Sequence, residues 1–186
     1  NYLERTQAVE VLDNLIASGA LAPTVALFVQ PGDIAGQAQG SQAVRSLEYD
    51  AITDAYVTYL VEQLMPVALE GLNISRDPQN RAMCGMSSGG ICAFNAAWTR
   101  PDQFGLVISH VGSFTALRGG NNYPSIVRQN AAKPIRVFLQ AGAGDIVNSV
   151  DHWPLASIQM ALALSHKGYD VRLEFGKGAH DFKHAA

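Results

Sequence analysis

Positive charge never gathers in this sequence. Its 186 residues hold 13 Lys and Arg against 16 Asp and Glu, a formal net charge of −3, and no Lys/Arg cluster interrupts the chain. A nucleic-acid binder needs a basic patch to displace counterions, so this composition argues against nucleic acid as a partner. Long apolar runs are also missing, and none approaches the roughly 18 residues that cross a bilayer. The opening residues, "NYLERTQAVE", are too polar for a signal peptide. With no initiator Met, an upstream leader is left open, as are the compartment and the oligomeric state. Cysteine is scarce. Cys84 and Cys92 flank an expected strand-to-helix junction, which argues against a structural disulfide or zinc site and for two buried free thiols. Charged residues make up only 16% against 48% hydrophobic, so the chain can bury a core and does not read as disordered. The length suits one domain, with no internal repeat or low-complexity linker.

What is present alternates between strand and helix. Leu3, Val11, Leu12, Leu15 and Ile16 share one face of a helix stopped by Gly19. "TVALFVQ" (24–30), closed by Pro31-Gly32, has the short apolar run of a buried parallel strand, and a polar Gly-rich loop follows. Ile52, Tyr56, Tyr59, Leu60 and Leu64 mark a second helix that Pro66 kinks or ends. Then come a strand "AMCGM", a helix "SGGICAFNAAWTR", strands "LVISHVG" and "IRVFLQA" (135–141), a helix at 154–168 and a last strand "VRLEF" (171–175). Strand and helix in alternation predict an α/β fold, a mostly parallel sheet covered by helices on both faces.

Gly85-Met86-Ser87-Ser88-Gly89 is a GxSxG motif between a short apolar strand and an apolar helix, the setting of a nucleophile elbow. A GxSxG match alone is weak, because Gly and Ser are common in turns. Here the sharp turn would hold the Ser87 hydroxyl clear of the sheet, with Gly85, Gly89 and Gly90 supplying the small neighbours. The Ser88 N–H, opening the next helix, would point at a developing oxyanion. The alternative is an ordinary glycine-rich turn.

A serine hydroxyl needs a base, and the base needs an acid to orient it. Of five histidines, His110 falls in a strand and His166 in a last helical turn, where the helix dipole accounts for it. His152, before a helix, is placed to line a pocket. His180 follows "VRLEF" in the loop "GKGAH", at the carboxyl edge of the sheet where such folds bind ligands, and it is the candidate base, with His184 a minor rival. Asp145, in "GAGD" directly after "IRVFLQA", is the candidate acid. Asp151 is its rival, otherwise read as a cap for the helix near Pro154, and Asp102 reads as a turn residue.

With these residues in view, "RAMCGMSSGGICAFNAAW", "SHVGSFTALRGGNNYP", "KPIRVFLQAGAGDIVN" and "WPLASIQMALALSHKGYDVR" together resemble the putative esterase family of α/β-hydrolases. The likeness is greatest to its enterochelin-esterase-like branch, with feruloyl esterases close by, and it covers essentially the whole chain. It implies a cofactor-independent carboxylic-ester hydrolase with no metal, with Ser87 as nucleophile, Asp145 as acid and His180 as base. It also implies a small-molecule or carbohydrate ester as substrate: a carbohydrate, phenolic or siderophore ester. Two positions depart from the family pattern: Ala179 stands before the histidine, and Ala141 where an acidic residue is frequent. The family also has strands before the helix that begins here, and a helix after the histidine. The resemblance thus implies that part of the sheet, and the turn carrying a second oxyanion N–H, lie outside these residues. Pairing of 24–30 directly with the elbow strand is the other possible closure.

Substrate contacts are expected from Arg118 in "TALRGGNNYP" and from His152 and Trp153. Arg118 also reads as half of a surface ion pair, and Trp153 as a hydrophobic anchor for its helix. Arg45 and Glu48 read either as holding a loop against the site or, more plainly, as a solvated i, i+3 pair. Acyl transfer to an alcohol and a catalytically silent binding domain are the rival functions.

Overall fold

The fold is seen in a computed structural model that describes residues 3, 6–32 and 42–181. The expected first helix forms as α1 (Ala8–Ala17) and stops at Gly19, whose φ of 73° only glycine adopts freely. Its apolar stripe is only partly covered by the described residues: Leu12 and Ile16 are half-buried, while Val11 and Leu15 remain exposed.

Residues 24–30 do not form the expected strand. They are extended, but they join no ladder, and Val25, Leu27 and Phe28 are exposed. An apolar run becomes a strand only when a neighbour supplies backbone partners. Here the Tyr49 hydroxyl donates to the Val29 carbonyl at 3.1 Å, and β1 (Ala82–Met86) pairs with β2 (Leu106–His110) on one side and with no other described strand. Among the described residues, the alternative closure of 24–30 onto the elbow strand is not made.

Where a loop was expected, Gln42–Tyr49 forms α2. The next helix is broader than one element. It runs as α3 (Ala55–Tyr59), widens into a π-helical turn at Leu60–Leu64, and closes as α4 (Met65–Ala68). Pro66 has no N–H to return to the preceding turn, and the wider winding falls just before it.

The sheet is fully parallel, in the order β1-β2-β3-β4, with β3 at Arg136–Gly144 and β4 at Val171–Ala179. The crossovers are α5 (Ser88–Thr99), α6 (Tyr123–Gln129) and α7 (Trp153–His166). Because side chains alternate along a strand, Val107, Ser109, Val137, Leu139 and Ala141 face these helices and are buried. Phe94 and Trp98 on α5 stack on each other and meet Tyr123 of α6 edge to face, so one aromatic cluster joins the two helices. The Tyr123 hydroxyl donates to Asn95, which in turn donates to the Thr53 carbonyl at 2.6 Å, satisfying the polar groups buried there. Cys92 is buried in α5, but Cys84 is exposed, contrary to expectation. It lies on the sheet face turned away from α5, in the row Cys84–Ile108–Phe138.

β3 and β4 run further than their apolar cores suggest. Gly142 and Gly144 pair with Gly176 and Ala179 across a register shift, so "GKGA", expected as loop, is largely strand. The backbones approach closely there, since a Cβ on Gly144 would lie 3.1 Å from the carbonyl oxygens of Lys177 and Gly178. That pairing sets the next residues, Asp145 and His180, side by side.

Candidate active site

Four parallel strands end at one edge, and the loops beyond them carry the candidate residues. Ser87 follows β1 with φ 59° and ψ −120°, a conformation rare for a residue with a side chain. Several backbone bonds hold it there. Its N–H donates to the His110 carbonyl at 2.9 Å, and its own carbonyl accepts from Ser113 N at 3.1 Å and Gly90 N at 2.9 Å. Glycine is required at two places around this turn. A Cβ on Gly85 would lie 2.3 Å from the Gly89 carbonyl oxygen, and one on Gly90 would lie 2.7 Å from Ser109 Oγ. Gly89, expected to serve the same need, has open space at its own Cβ position.

His180 and Asp145 complete a continuous chain with Ser87. His180 Nε2 lies 2.8 Å from Ser87 Oγ, and Nδ1 lies 2.6 Å from Asp145 Oδ1. The Asp145 carboxylate is fully buried, and its Oδ1 also accepts from Ile146 N at 2.7 Å, which fixes its orientation. A carboxylate only accepts, so Nδ1 carries the proton and Nε2 presents its lone pair to the serine. Trp153 is buried beside the imidazole, edge to face, with ring centroids 5.9 Å apart. The Ser88 N–H opens α5, so no carbonyl lies one turn earlier in the helix to accept it.

Arg118 is exposed, with φ 44°, and donates Nε to Ser46 Oγ at 3.2 Å, tying its turn to α2; among the described residues it forms no ion pair. His152 is exposed and is itself the N-cap of α7, its Nδ1 accepting from Leu155 N at 3.2 Å. Asp151 therefore does not cap that helix; its Oδ1 accepts from Ala116 N at 2.7 Å and holds the loop after β2. Asp102 pairs with Arg100 in the turn after α5. His184 lies outside the described residues. Arg45 and Glu48 do not pair with each other. Glu48 accepts from Gly32 N at 3.0 Å, while Arg45 donates Nη1 to Ser88 Oγ at 2.8 Å and Nη2 to the Met86 carbonyl at 3.3 Å.

Ser113 escapes the sequence reading, and for Arg45 the sequence suggests only a loop held against the site, not a grip on the elbow itself. Arg45 reaches the elbow across 43 residues of sequence. Ser113 is completely buried, with its hydroxyl 3.3 Å from both Ser87 Oγ and Trp153 Nε1. Neither carries a local signal, because both contacts are made only once the sheet has formed.

Comparison with known proteins agrees with this architecture. The family described as Putative esterase matches residues 1–182. An Iron(III) enterobactin esterase of Dickeya dadantii is 32% identical over 97% of this chain, which spans 42% of that protein's length. The uncharacterized protein YbbA of Bacillus subtilis is 25% identical over 92% of this chain and 72% of its own. Among solved structures, a ferulic acid esterase superposes with a TM-score of 0.71 at 20% identity, covering 99% of this chain and 74% of the other. The enterobactin esterase of Shigella flexneri gives a TM-score of 0.65 at 21% identity, covering 76% of this chain and 37% of its own, so both share the fold. A parallel sheet flanked by helices, an α/β-hydrolase arrangement, and a sequence match over nearly every residue agree: this chain belongs to the Putative esterase family.

Proposed function

We propose that this chain is a serine carboxylic-ester hydrolase working through an acyl-enzyme. The observation that carries the reading is the unbroken chain from Ser87 Oγ through His180 to the buried Asp145, at 2.8 and 2.6 Å. In the first half-reaction Ser87 Oγ forms a bond to the ester carbonyl carbon, its proton passes to His180 Nε2, and the carbonyl π pair moves onto oxygen. The Ser88 N–H faces that oxyanion. Collapse breaks the bond to the alkoxy group, which leaves with the proton from Nε2. Water then attacks the acyl carbon, giving its proton to Nε2, and Ser87 Oγ departs with that proton restored. Asp145 holds the imidazole in the tautomer that each step needs.

The substrate reading rests on the relatives, whose names specify enterobactin and ferulic acid esters. We assign a carbohydrate, phenolic or siderophore ester, with Trp153 and His152 as a planar wall for a sugar or aromatic acyl group and Arg118 as a contact for a polar or anionic one.

Fluorophosphonate labelling followed by intact mass tests the nucleophile with little demand on substrate recognition. One adduct on Ser87, absent in Ser87→Ala and His180→Ala, is the expected result. A folded protein that takes no label would instead be a silent binding domain.

A further inference from the structure

Ser87 Oγ has a second polar neighbour besides the histidine, and the donor inventory gives that contact a direction. The indole Nε1–H of Trp153 can only donate, so the Ser113 hydroxyl oxygen, 3.3 Å away, is the acceptor. Ser113 is completely buried, and its hydroxyl has Ser87 Oγ as its other partner among the described residues. The Ser87 proton is directed to His180 Nε2, at 2.8 Å. The Ser113 proton is therefore left to point at Ser87 Oγ. We infer that Trp153 and Ser113 form a second hydrogen-bond input to the nucleophile, with Ser113 as a catalytic residue that donates to Ser87 Oγ and Trp153 as the residue that orients it. This rests on the reading of Ser87 as nucleophile.

Distance indicates when the donor acts. At 3.3 Å the Ser113–Ser87 contact is longer than an ordinary O–H···O bond, so it contributes little while Oγ is neutral. Bonds to an oxygen bearing negative charge are shorter and about twice as strong. Charge grows on Ser87 Oγ as its proton departs during attack, and again when Oγ is expelled from the acyl-enzyme. A donor that tightens only then lowers the barrier without tightening substrate binding. The same contact fits both half-reactions, whereas in the acyl-enzyme itself Oγ is an ester oxygen and a poor acceptor.

Geometry around Ser113 supports a held donor. Its backbone N–H donates to the Ser87 carbonyl at 3.1 Å, so the residue moves with the elbow. The indole that fixes its hydroxyl also flanks the His180 ring.

Ser113→Ala alone would be ambiguous, because it strands the buried indole N–H and costs stability besides. The informative comparison is the unmodified protein, Trp153→Phe and Trp153→Phe/Ser113→Ala. Phe keeps an aromatic ring beside His180 and removes the stranded donor, so the two variants should melt at similar temperatures. Fluorophosphonate labelling and aryl-ester turnover are then followed in all three. Because Trp153 orients the donor, Trp153→Phe already slows labelling, and the double variant is expected to label on the order of tenfold more slowly than the unmodified protein, with the loss in kcat and KM unchanged. A folded double variant that labels as fast as the unmodified protein, with Ser87 labelled in both, overturns the role of Ser113. No label on Ser87 in any of the proteins overturns the nucleophile reading, and this one with it.

Discussion

The Arg45 guanidinium grips the residues on either side of Ser87, donating to Ser88 Oγ at 2.8 Å and to the Met86 carbonyl at 3.3 Å. Ser87 sits at φ 59°, and conformations of this kind persist only when the surroundings over-determine them. Arg45 supplies part of that surrounding from α2, outside the sheet. Replacing it with Ala removes charge-assisted bonds worth about 1.5–3 kcal/mol each. Expected outcomes are a lower melting temperature and a label rate reduced about tenfold. Lys, a point charge without the fork, should recover only part of either. Wild-type labelling in Arg45→Ala would show that the elbow holds its shape without it.

The two glycines of the motif are predicted to differ. Gly85→Ala puts a methyl 2.3 Å from a backbone carbonyl oxygen, which side-chain motion cannot relieve, and should cost about 1–3 kcal/mol and most of the labelling. Gly89→Ala meets nothing within 4 Å and lies in the first turn of α5, where Ala is the better helix former. Its melting temperature should equal or exceed the wild type. Thermal melts of the pair settle this, and equal losses would contradict the steric account.

Thiol accounting gives an independent check on the packing. Cys84 is exposed, whereas burial pushes the Cys92 thiol well above its ordinary pKa, with the nearby Asp50 carboxylate adding to the rise. A disulfide reagent at neutral pH should therefore titrate one thiol per native chain, lost in Cys84→Ser, and a second only after unfolding. Two fast thiols would mean that α5 does not pack as described.

Much of this was legible because the apolar patterns around β1, α5, β2 and α7 are local, and each predicts its own element. Ser87, Asp145 and His180 were legible for a related reason: parallel strands deliver their ends to one edge, so a residue just past a strand is already placed. Segment 24–30 shows the limit. Its composition is that of a strand, but hydrogen-bond partners are a property of the neighbours, and its residues carry no record of them. The "GKGA" stretch fails in the opposite sense, since glycines that read as loop are there to let two backbones approach. Ser113, and the elbow partners of Arg45, were hidden for the same reason as the partners of 24–30, being defined by contacts between distant segments.

One feature of the sheet bears on how the protein tolerates heat. His180 stands one residue beyond the paired end of β4, the outermost strand on that side of the described sheet, and it reaches a serine 93 residues earlier in the chain. Strand ends open locally at a free energy well below that of global unfolding. The aromatic cluster of α5 and α6 can thus stay closed while the imidazole has already left its partners. Under the proposed role of His180, the upper temperature for activity is then set by fraying at this one margin, and reinforcing the hydrophobic interior would not raise it.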